Sequence, residues 1–149
     1  MNELTEQVLG AVFEVSNTLG TGFLEKVYHR ALLHELRLRG VRTASEVSFS
    51  IKYKGQVVGQ YYADILVEDA LVLELKCADR LSNEHTAQCI NYLKASGLTV
   101  CLLILFQNPK VEWKRVVRGF SSSAFICANQ RPTQSSPSPV IHTSVANSS

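Results

Sequence analysis

Apolar residues recur at Leu4, Val8, Val12, Val15 and Leu19, steps of three and four that predict a helix over residues 3–19. Gly20-Thr21-Gly22 interrupts the stripe. A second helix is expected from about Phe23 to Arg39, stopping at Gly40, a residue suited to the left-handed position after a helix. From Val41 the period changes to two. Val47, Phe49, Ile51 and Tyr53 alternate with Ser48, Ser50 and Lys52, the pattern of a half-buried strand. Lys54-Gly55-Gln56 makes a turn, Val57–Val67 a second strand with Gly59 as a candidate bulge, and Leu71–Cys77 a third. Residues 45–77 therefore read as an antiparallel meander. Ser82 or Asn83 can cap a helix that runs to about Ser96 and ends at Gly97. Residues 98–106, LTVCLLILF, read as a strand covered on both faces, and residues 111–117, VEWKRVV, as a partly exposed edge strand. The predicted order is α-α-β-β-β-α-β-β, without internal repeats.

Composition narrows the class. At 149 residues with 46% apolar content, the chain holds one ordinary core, and its net charge of +2 is too small to mark a nucleic-acid binder by itself. No apolar run approaches the roughly 20 residues of a membrane span, so no membrane partner is expected. The N-terminus lacks the basic and apolar regions of a secretory signal, and a cytoplasmic location is the expectation. Cys77, Cys89, Cys101 and Cys127 show no CxxC spacing and read as free thiols. After Gly119-Phe120 the chain becomes rich in Ser, Pro, Thr, Asn and Gln. The domain is expected to span residues 1–120, followed by a tail over 121–149 that is disordered from about Ala128.

The chemistry concentrates between Asp64 and Tyr92. With Glu68-Asp69-Ala70 as the turn, Val67 lies opposite Leu71 and, by the same register, Asp64 lies opposite Glu74. Opposed residues share a face with Cβ atoms about 4.5–5.5 Å apart. Glu74 and Lys76, two apart, project the same way as Val72. Two neighbouring carboxylates repel unless a proton or cation lies between them. A magnesium ion held by Asp64, Glu74 and the Leu75 carbonyl would suit hydrolysis of a phosphodiester, with Lys76 positioning the attacking water. The competing reading is a Glu-x-Lys ion pair on an exposed strand. Against it, Glu74 and Lys76 sit in the largely apolar run LVLELKC, where unpaired charge is expensive. Gln88 and Tyr92, four apart, share a helix face near its apolar border and can face the same site or solvent; His85 on that helix has no partner histidine at ligand spacing. Glu25 shares a face with Tyr28 and Leu32, but on composition alone it reads as a solvated glutamate favoured by the helix dipole. Lys110, Lys114, Arg115 and Arg118 can touch phosphates or simply protect a strand edge.

At these residues the sequence resembles the PD-(D/E)XK nuclease superfamily. Asp64 followed by Glu74-Leu75-Lys76 matches its D…ExK signature, and Gln88-Cys89-Ile90-Asn91-Tyr92 matches the QxxxY element of its RecB-like and exonuclease-like branches. The run Gly22-Phe23-Leu24-Glu25-Lys26-Val27-Tyr28 is similar to the motif of the GxxExxY protein family, a branch of that superfamily. The likeness covers about Leu4 to Phe120. It implies a restriction-endonuclease-like α/β (α+β) core with a central mixed sheet of about five strands flanked by helices. It also implies Mg²⁺, or Mn²⁺ in its place, at Asp64 and Glu74, with Leu75 as a further ligand. Glu25, solvated on composition alone, becomes by the resemblance a helix carboxylate that approaches the metal. Lys76 then orients water, and Gln88 and Tyr92 are accessory. Ala63 replaces the proline usual before the first acid, and the tail has no counterpart. The implied activity is a metal-dependent nuclease, on DNA more than RNA. The alternative is a nucleic-acid- or protein-binding module of the same fold without turnover. A homodimer or larger complex is compatible with either.

Overall fold

The computed structural model describes residues 2–107, 109–118 and 140–146, the last as backbone. Its elements are α1 (Asn2–Leu19), α2 (Glu25–Leu38), β1 (Thr43–Tyr53), β2 (Gln56–Val67), β3 (Leu71–Lys76), α3 (Asn83–Ser96), β4 (Val100–Leu105), β5 (Val111–Val117) and β6 (Val140–Ala146). The strands form a six-stranded sheet in the order β1-β2-β3-β4-β5-β6. The β3–β4 pair is parallel and every other pair antiparallel, so the sheet is mixed, as expected. A parallel pair needs a crossover, and α3 supplies it.

Two clusters lie on the two faces. Leu71, Leu73 and Leu75 of β3 pack with Val8, Val12, Tyr28, Leu32 and Leu36 of the helix pair. Val72, Cys101 and Leu103 pack with Cys89, Tyr92 and Leu93 of α3. Strands β3 and β4 are covered on both sides, which explains their nearly continuous apolar sequences. Among the described residues no helix is long and apolar enough to cross a membrane.

Local chemistry fixes the boundaries. Ser82 caps α3 by accepting from the His85 amide at 3.3 Å, and His85 Nδ1 accepts from the Ser82 amide at 3.2 Å. This is a reciprocal capping box with histidine in the usual glutamate place. Gly97, at φ 77°, ends the helix in the left-handed region. The β2–β3 turn places Glu68 and Asp69 at φ 51° and 55°, uncommon for residues with side chains. Arg42 holds both, its Nη2 3.2 Å from Glu68 and its Nη1 3.0 Å from Asp69. Register slips by one residue between Ile51 and Lys52, opposite Val58 and beside Gly59, the candidate bulge.

Two expectations at the C-terminal side need amendment. Strand β5 is not an edge: β6 pairs along its full length, Val111 with Ala146 through Val117 with Val140. Residues 140–146, VIHTSVA, thus form a strand inside the segment expected to be disordered, and they add a sixth strand to the five of the mixed core. An open strand edge supplies the hydrogen bonds that a short polar-alternating segment cannot make alone. The remainder of 119–149, including Cys127, lies outside the described residues. Cys77, Cys89 and Cys101 are free thiols.

Candidate active site at the end of the central strand

Strand β3 delivers two of the candidate residues to the α3 face. Glu74 is 3% exposed, and its Oε2 lies 3.2 Å from Lys76 Nζ. Its other oxygen, Oε1, is buried without a hydrogen-bond partner among the described residues. Burial pushes the Glu74 carboxyl from its ordinary 4.5 up to about 8; the charges of Asp64 and Glu25 add to the rise, and Lys76 opposes it. A buried carboxylate with one satisfied oxygen calls for a proton or a cation.

Asp64 comes from β2. Pairing with β3 runs from Val67–Leu71 to Ile65–Leu73, the register expected from a turn at residues 68–70. Beyond it, Asp64 Oδ2 accepts a hydrogen bond from the Leu75 amide at 2.8 Å. Side-chain alternation breaks here. Ala63 packs with the α3 cluster, whereas Ile65 packs with the helix pair. The flanking strand carries Glu46 at φ 54° beside this point, and the Glu46 charge acts on Asp64. Burial raises the Asp64 pKa; the Leu75 hydrogen bond, His29 and Lys76 lower it.

Glu25 opens α2, and its placement rests on a tyrosine clamp. Gly20 and Gly22, at φ 74° and 100°, turn the chain out of α1. Tyr28, 1% exposed, donates its hydroxyl to the Gly20 carbonyl at 2.6 Å and stacks on Phe106 with ring centroids 4.6 Å apart. Phe106 is in turn tied to the end of β3, its amide donating to the Lys76 carbonyl at 3.0 Å. The first turn of α2 is thereby fixed against the strand that bears Glu74 and Lys76. Burial raises the Glu25 pKa and Asp64 adds to it, while Lys76 and His29 oppose. Glu25 stays solvent-exposed, as composition alone suggests, yet shares an electrostatic field with the sheet acids. Tyr28→Phe removes the bond to Gly20 and is expected to cost about 1 kcal/mol, read from urea melts, because the carbonyl loses its partner.

From α3, Gln88 Nε2 donates to Tyr92 Oη at 3.3 Å. Tyr92 is 4% exposed, and Tyr61 packs against it edge-on, with centroids 5.5 Å apart at 85°. Burial raises the Tyr92 pKa, followed by the charges of Glu74 and Asp64, so the ring stays a neutral phenol facing those acids.

His29 does not stand out in the sequence, although it lies four residues after Glu25 on the same helix face. Its charge acts on both Asp64 and Glu25, and its Nε2 lies 3.3 Å from Ser45 Oγ. The i, i+4 spacing is the signal that could have found it. His85 belongs to the helix cap rather than to a ligand set. Arg118 Nη1 donates to the Leu93 carbonyl at 3.4 Å, near the C-terminal end of α3.

Among the described residues, no group of three or more His, Cys, Asp or Glu closes on one ion position. The donor chemistry nevertheless fits a hard divalent cation, with oxygen atoms from Asp64 and Glu74 and one of them, Glu74 Oε1, buried and unpartnered.

The family model for the PD-(D/E)XK nuclease superfamily matches residues 2–116. The chain belongs to the PD-(D/E)XK nuclease superfamily. The superfamily is one of nucleases, whose members typically use divalent metals. Asp64 lies on β2, preceded by Ala63, and Glu74 and Lys76 lie on β3. No curated protein matches the chain significantly. Among solved structures, the chain is similar to SSO0001, with 17% identity, a TM-score of 0.53, and coverage of 68% of this chain and 53% of that one. This chain therefore spans about half the length of SSO0001, and the likeness is one of fold. An alkaline exonuclease from Laribacter hongkongensis, LHK-Exo, matches with 15% identity, a TM-score of 0.45, and coverage of 77% and 80%. The same exonuclease in complex with dAMP matches at 14% identity and a TM-score of 0.45, with the same coverage.

Proposed function

We propose that the protein is a divalent-metal-dependent nuclease of the GxxExxY branch, hydrolysing phosphodiester bonds in DNA rather than RNA, with Mg²⁺ as the ion and Mn²⁺ as a substitute. The observation that carries this reading is Glu74: buried, beside Asp64, paired through one oxygen to Lys76 and unpartnered at the other. Asp64, Glu74 and the Leu75 carbonyl would hold the cation, with Glu25 approaching from α2. When bound, the cation would supply Lewis-acid activation of water and of the phosphoryl oxygen. Lys76 directs its ammonium at the attacking water and at charge developing on the phosphate. Gln88 and Tyr92 hold the far wall, the amide orienting the phenol toward Glu74. Water's oxygen adds to phosphorus and gives up a proton, the ester P–O bond breaks, and the leaving oxygen takes up a proton, so that one water is split across the ester.

The deciding experiment incubates linear, circular and single-stranded DNA, and RNA, with Mg²⁺ or Mn²⁺ and with EDTA. Lys76→Ala is expected to lower kcat about 10²-fold or more with little change in substrate affinity, since it removes an interaction strongest in the transition state. Undiminished cleavage by that variant assigns the activity to another site. A donor set that stays open, with no three ligands closed on one ion position among the described residues, favours a second reading, a nucleic-acid-binding module without turnover. That reading expects tight binding, no cleavage with any divalent ion, and no dependence of binding on Glu74.

A further inference from the structure

Beyond the acids, the α3 face of the β1–β2 hairpin forms a cleft with a volume of about 330 Å³. Its strand wall is Ser50, Ile51, Lys52 and Tyr61; its helix wall is Asn91, Lys94 and Ala95. None of the residues lining it is acidic. We propose that this cleft binds a single-stranded polynucleotide, one base stacking on Tyr61 while Lys52 and Lys94 hold the flanking phosphates. This inference rests on the nuclease reading for its purpose, but its chemistry stands on the cleft itself.

Size speaks first. The cleft is at the lower end of the roughly 300–1,000 Å³ typical of small-ligand pockets, room for a single nucleotide. Charge comes next: two lysines from opposite walls, both exposed, converge on a space without carboxylates. Exposed ammonium groups of this kind bind phosphate by releasing counterions. The aromatic surface is already oriented, because Tyr92 holds Tyr61 at 85°. An aromatic ring beside basic groups is the usual platform for an unpaired base. Asn91 adds an amide able both to donate and to accept at a base edge.

The cleft also leads to the acids. Tyr61 touches Tyr92, and Tyr92 faces Glu74. On α3, Gln88 and Asn91 are three apart and share a face, and Lys94 lies six residues, on the order of 9 Å, beyond Gln88 along the axis. A strand seated on Tyr61 would therefore continue past Gln88 toward Glu74 and Lys76. The geometry makes the cleft the holding site for the nucleotides next to the scissile bond.

Binding measured in EDTA separates this from catalysis. A labelled oligothymidylate, an oligouridylate and a DNA duplex are titrated by fluorescence anisotropy across a salt series. With Lys52→Ala/Lys94→Ala, affinity for both single strands is expected to fall tenfold or more at low salt. The slope of log K against log salt should shrink by about 1.4, two phosphates at 0.7 each. Tyr61→Leu should weaken single-strand binding at least fivefold while leaving the slope alone, since stacking is not ionic. A loss limited to one of the two oligomers shows which polynucleotide, DNA or RNA, the cleft accepts and supports the proposal. Unchanged affinity and slope in the double variant overturn it, as does an equal loss for the duplex. Glu74→Gln is the control for the other reading. Wild-type protein that binds through the lysines yet never cuts under Mg²⁺ or Mn²⁺ leaves the cleft standing and removes the nuclease assignment.

Discussion

Glu74→Gln is expected to slow cleavage about 10²–10³-fold and, in metal-free buffer above neutral pH, to make the protein more stable. The two effects share one cause. The side chain is enclosed at the end of β3, where its charge is costly in isolation and useful only with a cation. Removing that charge forfeits several kcal/mol of stabilisation around the reacting phosphate, about 10²–10³-fold in kcat. The amide nearly preserves shape but leaves its own groups imperfectly paired, at about 1–3 kcal/mol. Net stabilisation of the metal-free variant at pH 9 is therefore expected to be about 1–3 kcal/mol. Urea melts in EDTA and single-turnover cleavage measure the two sides. A variant that is inactive and also destabilised at pH 9 would mean that Glu74 serves as a packing element and is no stored cost.

The second large effect is alkaline destabilisation of the metal-free protein. Glu74 has a folded-state pKa of about 8 against an ordinary value of 4.5. Folding thus favours its protonated form. That contribution is whole below pH 4.5 and is lost as pH rises through about 8. The loss is on the order of 3–5 kcal/mol, and Asp64 and Glu25, displaced upward as well, act in the same direction. The exposed Glu68, lowered by its hydrogen bond from the Arg42 amide, has the opposite dependence but acts only in acid. Stability in EDTA should accordingly fall between pH 5 and pH 9, and saturating Mg²⁺ should restore much of the loss at the upper end. A flat profile across that range, with or without Mg²⁺, would show that no buried acid is waiting for a cation.

Much of this site can be read from the chain because its parts are local. The turn at residues 68–70 sets the β2–β3 register, and that register carries Asp64 toward Glu74 and Leu75. The sequence LVLELKC announces a strand buried on both faces, which makes its two charges anomalous before any coordinates are seen. Ser82 and Gly97 define α3 by cap chemistry alone. What escapes the sequence depends on distant partners. His29 reaches the field of Asp64 only because α2 docks beside the sheet. Glu25 is exposed, as its sequence suggests, but Tyr28, Gly20 and Phe106 pin the start of its helix within the field of the sheet acids. Strand β6 has too few residues and too polar a setting to declare itself; the waiting edge of β5 makes it a strand. The break in alternation at Asp64, which separates Ala63 from Ile65, is likewise invisible to a period-two pattern.

The spatial order of the six strands is also their order along the polypeptide. Growth of the sheet can therefore keep pace with synthesis, each newly emerged strand docking on the outer margin of those before it. No rung of the ladder ever has to be prised apart to admit a latecomer.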